Sequence, residues 1–427
     1  MAIKASLYFY YHESIFQVDL IKRDDNYKLV AMKYCVVIMD GSAGWPLPER
    51  GNRSCLELAR TPNLDNLVRR GYLGLVRTVP TGMEPSSACA CMSVMGYDPR
   101  IYYRGRSAIE AKSMNIPVAK DEVVFRCNLV TVIDGRMVSY SAGHISTPEA
   151  KELIEELNRT LGNEDIHFFP GVNYRHILKL KGHEDSLQAA CTPPHDIPDQ
   201  PVAGHLPRGK GSEILRKLMR ESEEILRNHP VNLKRTARGE RPATGIWLFW
   251  GSGQIPEMPS FKEAYGLQAA MTSGVDLLRG LAKMAGMTVL DIPGVTDGLD
   301  NDFASQTSGA LRALSDHDMV IIHVEAPDEA GHAGSIENKV AAIEKIDTDM
   351  IGMISASDTG NMRLLVMPDH PTPIKIKTHN DEPVPFLLWG PGINSNGAQR
   401  FSEKEATATG VLINEGYSIM GKLINRG

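Results

Sequence analysis

Six acidic and imidazole side chains lie at or just after apolar runs of this chain, and such residues can bind metal ions. They are Asp40, Asp328, His332, Asp369, His370 and His379. Singly, Asp40 is better explained as a turn residue and His379 as a hydrogen-bonding histidine. The other four are explained equally well as an ion pair, a helix cap or a plain loop. Together, mixed oxygen and nitrogen ligands suit Mn²⁺ or Zn²⁺, and clustered carboxylates repel one another unless a cation neutralises them. Six ligands are enough for two metals when a hydroxyl or a substrate oxygen completes the coordination.

A serine in the segment PSSACACMSVMGYDP could react beside such a metal pair. The segment predicts a loop that opens a buried helix with Ser87 at its start. On its own, Ser87 is better explained as the cap of that helix, and Ser86 is the alternative nucleophile. Two metals favour in-line displacement at phosphorus, and a helix N-terminus supplies amide donors for phosphoryl oxygens. Ser87 is therefore the candidate phosphoryl acceptor.

These residues need strands that end at one edge of a sheet. The runs 33–40, 287–292, 318–325, 362–369 and 383–390 predict buried strands, and helix-like segments separate several of them. Alternating strands and helices with apolar strands predict a doubly wound, mostly parallel α/β sheet. Ligands bind beyond the carboxyl ends of the strands in such sheets. We therefore expect the six side chains to meet at that edge.

The segment 101–284 has a different pattern. Hairpin signals around Asp134-Gly135 and in FFPGVNYRHILKLKG accompany two long amphipathic helices, which predicts an α+β domain. We expect a metal-binding core over 33–100 and 285–427, with a cap domain inserted over 101–284. The first buried strand starts at Lys33, so residues 1–32 are expected to be an N-terminal extension, with Met32 as a hypothetical native start.

Composition excludes some function classes. The 427 residues carry 46 basic and 52 acidic side chains, a net charge of −6, so no overall basic field for nucleic acid exists. The six cysteines form no CxxC pair and predict a reducing, cytoplasmic location. No apolar run reaches the roughly 18 residues needed to span a bilayer. We expect neither a nucleic-acid nor a membrane partner, and the choice between monomer and homo-oligomer stays open.

The motifs and their order resemble the alkaline phosphatase superfamily and, within it, the archaeal-type branch of the cofactor-independent phosphoglycerate mutases. The motifs are VVIMDG, ARTPNLDNL, PSSACACMSVMGYDP, YRGRSAIEAKSMNIP, VVFRCNLVTV, HVEAPDEAGHAG, MPDH and KTHNDEPVPF. They extend from Lys33 almost to the C-terminal helix. The resemblance implies that 3-phosphoglycerate and 2-phosphoglycerate are interconverted without 2,3-bisphosphoglycerate.

The resemblance also implies two divalent ions, Mn²⁺ or Zn²⁺, with Mg²⁺ and Co²⁺ as alternatives. One ion would be held by Asp40, Ser87, Asp369 and His370. The other would be held by Asp328, His332 and His379. Ser87 would be phosphorylated transiently, and the substrate would be a small phosphorylated molecule.

Two segments depart from the family's pattern. The family has Gly-Ser-Asp or Gly-Ser-Glu at the nucleophile, where this chain has Ser86-Ser87-Ala88. The archaeal mutases typically carry an arginine-rich stretch where this chain has SYSAGHIS, which resembles a sister branch labelled homoserine kinase-like. The alternatives are therefore a homoserine kinase-like phosphotransferase, a metal-dependent phosphomonoesterase and a catalytically silent metal-binding protein.

A mutase has to retain dephosphorylated glycerate while it turns, so the cap needs cations for a carboxylate and a phosphate. The substrate-binding candidates in the insertion are His144, Arg175, His176, Arg238 and Arg241. The run KRTARGER, which contains the last arginines, is explained equally well as a solvated face. Arg104 and Arg106 could instead anchor the domain junction, and His195, among prolines, could be structural.

Overall fold

The computed structural model describes residues 4–11, 14–23 and 26–425. These form two compact units: the larger contains the described residues up to Tyr103 and from Met258 onward, and the smaller is Arg104–Glu257. The insertion expected at 101–284 therefore ends earlier than predicted. Its last part, including Ala269–Thr272, belongs to the sheet of the larger unit, because this short apolar run pairs with a core strand.

Strands and helices alternate through most of the described chain. The strands are β1 (Lys4–Tyr11), β2 (Ser14–Arg23), β3 (Asn26–Val30), β4 (Lys33–Met39), β5 (Tyr72–Val76), β6 (Glu122–Ile133), β7 (Arg136–Ser139), β8 (Ile166–Phe169), β9 (Arg175–Lys181), β10 (Gly245–Ser252), β11 (Ala269–Thr272), β12 (Thr288–Val289), β13 (Met319–Val324), β14 (Met362–Met367), β15 (Val384–Trp389) and β16 (Leu412–Ile413). The α-helices are α1 (Cys55–Leu58), α2 (Pro62–Val68), α3 (Ser87–Val94), α4 (Pro99–Tyr102), α5 (Arg106–Ser113), α6 (Thr147–Leu161), α7 (Ser212–Leu226), α8 (Pro230–Ala237), α9 (Phe261–Tyr265), α10 (Asp276–Met284), α11 (Phe303–Ala313), α12 (Ala326–Ala333), α13 (Ile336–Ile346), α14 (Gly352–Ser357), α15 (Glu403–Ala408) and α16 (Ile419–Ile424).

The larger unit is built on an eight-stranded sheet with β4 near its centre. The strand order is β12-β11-β13-β4-β14-β15-β5-β16. β13 and β14 both pair with β4 in parallel, and β4 is buried from Cys35 to Met39. Within this described sheet, only the pairings of β15 with β14 and β5 are antiparallel. The predicted mostly parallel α/β sheet is confirmed.

One predicted strand is much shorter than expected. We predicted a strand over 287–292, but only Thr288–Val289 adopts strand structure. It lies at the edge of the sheet and pairs with β11 alone. The run that follows it is partly exposed, so no second neighbour holds these residues extended.

The smaller unit is an antiparallel sheet covered by helices. Its strand order is β10-β6-β9-β8, with β7 paired to β6. Asp134 and Gly135 have positive φ of 49° and 70° in the predicted turn between β6 and β7. The second predicted hairpin, β8 with β9, is also present. The amphipathic helices α6 and α7 bury Leu153, Leu157 and Leu215 in the core of this unit, which confirms its α+β character.

The N-terminal strands β1, β2 and β3 form a separate antiparallel sheet. The extension predicted over 1–32 covers these strands, but residues 1–3, 12–13 and 24–25 of it lie outside the described residues. Within the described part of the chain, no helix combines the length and the apolar character that crossing a bilayer requires.

Candidate active site

The carboxyl ends of three adjacent parallel strands carry most of the predicted ligands. Asp40 follows β4, Asp328 lies in α12 after β13, and Asp369 and His370 follow β14. Because these strands are parallel neighbours, their ends meet at one edge. β15 runs antiparallel to β14, so the loop before β15 reaches the same edge with His379.

Ser87 reaches this edge from β5, which is antiparallel to β15 and so runs in the direction of β14. Ser86 caps α3, since its Oγ accepts a hydrogen bond from the Cys89 amide at 3.3 Å. Ser87 is the first residue of the helix, and its Oγ lies 3.2 Å from His370 Nε2. The capping role expected for Ser87 therefore falls to Ser86, and the Ser87 hydroxyl faces the histidine.

Asp40 holds an unsatisfied carboxylate oxygen. Its side chain is fully buried, and Oδ2 lies 2.7 Å from His323 Nε2, whereas Oδ1 has no hydrogen-bond partner. Burial and the carboxylate of Asp369 raise the pKa of Asp40 well above its ordinary value. A buried acceptor without a donor is costly, so this oxygen is suited to a cation.

Gly41 allows the ligand loops to approach one another. Its φ is +58°, and a Cβ atom there would lie 2.2 Å from Asp328 Oδ1. Its amide donates to Asp369 Oδ1 at 3.1 Å. A side chain at this position would therefore separate the loops that carry Asp40 and Asp328.

His370 is the centre of the first ligand group. Its Nε2 lies 3.3 Å from Asp369 Oδ2, 3.5 Å from Asp40 Oδ1 and 3.2 Å from Ser87 Oγ. One donor atom from each of Asp40, Asp369 and His370 lies within 4.8 Å of the others. Burial lowers the pKa of His370 to about 4, so the imidazole is neutral and has a lone pair for a metal ion.

Asp328, His332 and His379 form the second group. His332 Nε2 lies 3.0 Å from both Asp328 Oδ2 and His379 Nε2, and His379 Nε2 is 3.6 Å from the same carboxylate oxygen. The Nδ1 atoms face backbone carbonyls, at 3.0 Å from Lys377 and 3.2 Å from Pro85. Both Nε2 atoms are directed at the Asp328 carboxylate. Burial lowers the pKa of His332, but the hydrogen bond to Asp328 outweighs it and raises the pKa to about 9.

The arrangement of acceptors fits divalent metal ions. Two imidazole nitrogens and a carboxylate oxygen converge at these distances, and a divalent cation can replace the proton that His332 shares with Asp328. Donor atoms of Asp328, His370 and His379 also lie within 4.8 Å of one another, which joins the two groups into one site. Histidine ligands that donate their second ring N–H to a carbonyl are a common feature of metal centres.

Two contacting residues were missed by the sequence analysis. His323 in β13 joins Asp40 to Ser273, whose Oγ lies 3.0 Å from His323 Nδ1. Thr372 Oγ1 hydrogen-bonds Asp328 Oδ1 and lies 3.4 Å from His370 Nδ1. A histidine inside a fully buried strand was an available signal, whereas nothing in the sequence marked the threonine.

Three of the predicted substrate-binding residues have other contacts or are exposed. In the smaller unit, Arg238 forms ion pairs with Glu149 and Glu240 at 2.5 and 2.8 Å. The Arg241 guanidinium donates to the Val138 carbonyl at 3.0 Å. His144 is exposed in a turn with φ of 53°. The structure does not bring these residues together with the metal-ligand candidates within one unit.

Arg175 and His176, at the start of β9, each carry a buried N–H group. The Gly171 amide donates to His176 Nδ1 at 3.0 Å, so Nε2 bears the proton of the neutral ring, and this N–H has no partner. Burial and Arg126 lower the pKa of His176 to about 3. The Nε–H of Arg175 is likewise buried without a hydrogen-bond partner.

A buried charge cluster lies on the same sheet and was not predicted. Arg126 in β6 binds Glu110 of α5 with its Nη1 2.5 Å from Oε2, and Arg106 binds the other oxygen at 2.8 Å. Burial raises the pKa of Glu110, but the two arginines outweigh it and hold the pKa at about 2. Asn128, adjacent to Arg175 in the β6–β9 register, accepts from Arg126 Nε at 3.0 Å. Two arginines thus share one carboxylate.

Known proteins resemble this chain over nearly its whole length. The family model described as 2,3-bisphosphoglycerate-independent phosphoglycerate mutase matches residues 68–232. The mutase of that name from Methanothrix thermoacetophila is 47% identical, and the alignment covers 92% of this chain and 100% of the relative. The one from Methanosarcina acetivorans is 44% identical with the same coverage.

Two solved structures also resemble this chain over most of its length. A Pyrococcus horikoshii protein aligns with a TM-score of 0.78 at 26% identity, covering 93% of this chain and 99% of that one. The cofactor-independent phosphoglycerate mutase of Thermoplasma acidophilum aligns with a TM-score of 0.61 at 25% identity, covering 93% and 100%. This chain belongs to the 2,3-bisphosphoglycerate-independent phosphoglycerate mutase family.

Proposed function

We propose that this protein is an enzyme that interconverts 3-phosphoglycerate and 2-phosphoglycerate without 2,3-bisphosphoglycerate, through a phosphoserine at Ser87. The observation that carries the proposal is the Ser87 hydroxyl, 3.2 Å from His370 Nε2 at the edge where the buried acceptors meet. The names of the relatives supply the reaction, since they are 2,3-bisphosphoglycerate-independent phosphoglycerate mutases.

Two divalent ions, Mn²⁺ or Zn²⁺, are proposed for this edge. Asp40, Ser87, Asp369 and His370 would hold one. Asp328, His332 and His379 would hold the other. When bound, such ions neutralise the charge that develops on the transferring phosphoryl oxygens and favour the ionised serine. The orphan Asp40 oxygen and the facing imidazole nitrogens support this assignment.

Ser87 is proposed to carry the phosphoryl group between two hydroxyls of one substrate. Its Oγ bonds to phosphorus as the bond from phosphorus to the 3-oxygen breaks, which leaves glycerate in the site. The 2-hydroxyl of glycerate then attacks the phosphoserine, and the Oγ–P bond breaks. The 3-oxygen ends with the proton that the 2-hydroxyl loses, so the reaction balances. The N-terminus of α3 favours negative charge on Ser87.

The carboxylate of the substrate is proposed to bind in the smaller unit near Arg175, His176 and Arg126. Two buried N–H groups there lack acceptors, and the Glu110 carboxylate is shared by two arginines, Arg126 and Arg106. Positive charge therefore exceeds negative charge among these side chains, which favours binding of an anion. Arg238 and Arg241, which have partners within the unit, then have a structural role.

The proposed setting is a reducing compartment, the cytoplasm. All six cysteines are free, and five of them are buried. Burial raises the pKa of the Cys55 thiol to about 11, as it does for Cys191, which disfavours the reactive thiolate.

The test is an enolase-coupled assay with 3-phosphoglycerate and Mn²⁺ in the absence of bisphosphoglycerate, with free phosphate measured in parallel. We expect flux to 2-phosphoglycerate with no release of phosphate. Phosphate release alone would identify a phosphomonoesterase. No flux from metal-loaded protein would contradict the mutase, and ATP with homoserine would then test the phosphotransferase alternative.

A further inference from the structure

A lysine is completely buried beside the proposed metal centre. Lys339 lies on α13, and its relative exposure is 0%. Its ammonium group donates to the carbonyl of Ala43 at 3.0 Å and to the carbonyl of Thr372 at 2.7 Å. Neither acceptor carries a full charge, so this is an unusual environment for a lysine, which is almost never fully buried unless paired. Burial lowers its pKa.

The two carbonyls belong to the loops that carry ligands of the first group. Ala43 lies three residues after Asp40, and Thr372 lies two residues after His370. The loops also contact each other directly, because the Thr372 amide donates to the Ala43 carbonyl at 3.1 Å. One ammonium group therefore joins the ends of β4 and β14 at the edge of the sheet.

Thr372 extends this connection to the second group. Its hydroxyl hydrogen-bonds Asp328 Oδ1, and a Cβ added to Gly331 would lie 2.9 Å from the Thr372 carbonyl oxygen. α12, which carries Asp328, is followed at once by α13, which carries Lys339. Lys339 is thus connected to the loops or helices of both ligand groups through backbone and hydroxyl contacts.

A partly buried acid holds the other side of the loop after β4. Glu403 accepts hydrogen bonds from the Gly44 amide at 3.0 Å and from Ser54 Oγ at 2.6 Å. Lys339 Nζ would lie 3.6 Å from a Cβ at Gly44. The loop is therefore fixed at adjacent residues by an acceptor on one side and a donor on the other.

Packing alone does not require an ammonium group at this position. A methionine of similar length would fill the space without the cost of burying a charge. The ammonium group instead supplies a charged hydrogen-bond donor to each of two carbonyls in the ligand loops. Both of these acceptors are backbone carbonyls rather than the proposed ligand atoms.

We propose that Lys339 is a positioning residue for the metal centre: its ammonium group fixes the loops after β4 and β14 so that both ligand groups are preorganised for cations. This inference rests on the two-metal site of the proposed function.

The test is Mn²⁺ binding to metal-free protein, measured by calorimetry and by the electron paramagnetic resonance of free Mn²⁺. Lys339→Met removes both donors and is expected to weaken Mn²⁺ binding by about 10- to 100-fold, the usual effect of losing an outer contact of a metal site. Lys339→Gln keeps amide donors and is expected to weaken it less. Lys345→Met, on an exposed side chain of the same helix, is the control and should bind as the wild type does.

Several outcomes would overturn the inference. Unchanged Mn²⁺ affinity in Lys339→Met, even with lower thermal stability, would show a merely structural role. Tighter binding would show that the ammonium competes with the metal ions. If Lys339→Met does not fold, unchanged affinity in Lys339→Gln decides against the inference. Wild-type protein that binds neither Mn²⁺ nor Zn²⁺ would contradict the two-metal function itself, which separates the two failures.

Discussion

The edge of the larger sheet and the arginine cluster of the smaller unit are both buried polar sites, but their unsatisfied atoms have opposite character. At the sheet edge, Asp40 Oδ1 is a buried carboxylate oxygen without a geometric hydrogen-bond partner. In the smaller unit, Arg175 Nε and His176 Nε2 are donors without acceptors. Folding normally pairs such groups. The first site therefore fits cations and the second fits an anion.

The two sites also differ in how they shift the pKa of a buried glutamate. Burial and neighbouring carboxylates raise the pKa of Glu325 to about 8 at the sheet edge, because negative charges are crowded there. In the smaller unit, the arginines hold Glu110 ionised. Substitutions in each unit should therefore have separate effects.

The largest effect is expected at the proposed nucleophile. Ser87→Ala should lower kcat by about 10⁴-fold or more, because no other group on α3 replaces the lost oxygen. The coupled assay measures kcat, and circular dichroism checks the fold. The matched control is Ser86→Ala, which removes a helix cap worth about 1 kcal/mol and should keep activity of the same order. An active Ser87→Ala with an inactive Ser86→Ala would move the nucleophile to Ser86.

Removal of the metal ions should act through the ligand groups at the edge of the larger sheet. Exhaustive treatment with EDTA should abolish activity, and Mn²⁺ should restore it. Metal at 100 times its Kd should also stabilise the fold by about 2.7 kcal/mol, measured as a rise in Tm on adding Mn²⁺. Activity that survives chelation would refute the metal centre and leave the acceptors at this edge unexplained.

Glu110 should stabilise the smaller unit in a pH-dependent way. Its pKa of about 2 lies below the ordinary 4.5, so its ionised form stabilises the fold above pH 4.5, and this contribution is lost as the pH falls through 2. Glu110→Gln should cost about 3 kcal/mol at pH 7, and the difference from wild type should shrink below pH 4.5. Urea unfolding of metal-free protein from pH 7 to pH 3 measures this.

The control for that series is Glu156→Gln, which breaks a surface pair with Arg159 and should cost at most about 1 kcal/mol. A Glu110→Gln effect that does not change with pH would show that the carboxylate acts through packing rather than charge.

The smallest effect is expected for substrate binding. Arg175→Gln should lower kcat/KM by about 10- to 100-fold, since a charged hydrogen bond to the substrate is lost, while Mn²⁺ affinity stays the same. Arg238→Gln, whose guanidinium is already paired with Glu149 and Glu240, should change kcat/KM little. Equal effects of the two variants would mean that the surplus of donors does not bind substrate.

Much of the sheet edge was predictable because its residues sit beside the strands that carry them. Asp40 directly follows an apolar strand, and Asp369-His370 follow another, so local pattern placed them at the carboxyl ends. His379 was harder, because its position depends on β15 running antiparallel. Strand direction comes from long-range pairing, which periodicity does not contain.

The smaller unit was predictable as an α+β unit but not as a site. Its hairpins and amphipathic helices follow from turn residues and local periodicity. Arg238 and Arg241 looked available because charge in a sequence says nothing about partners, and Glu149 and Glu240 occupy the first of them. The Arg126–Glu110 pair joins a strand to a helix 16 residues away in the chain.

The sequence by itself determined which residues are the candidates for the chemistry and the strands and helices on which most of them lie. Only the tertiary structure decided which of their atoms lack partners. It assigned the helix cap to Ser86, left Oδ1 of Asp40 unpaired, and buried Lys339 between two ligand loops. The physical reason is that hydrogen bonding and burial depend on contacts between distant segments, such as the 296 residues that separate Lys339 from Ala43.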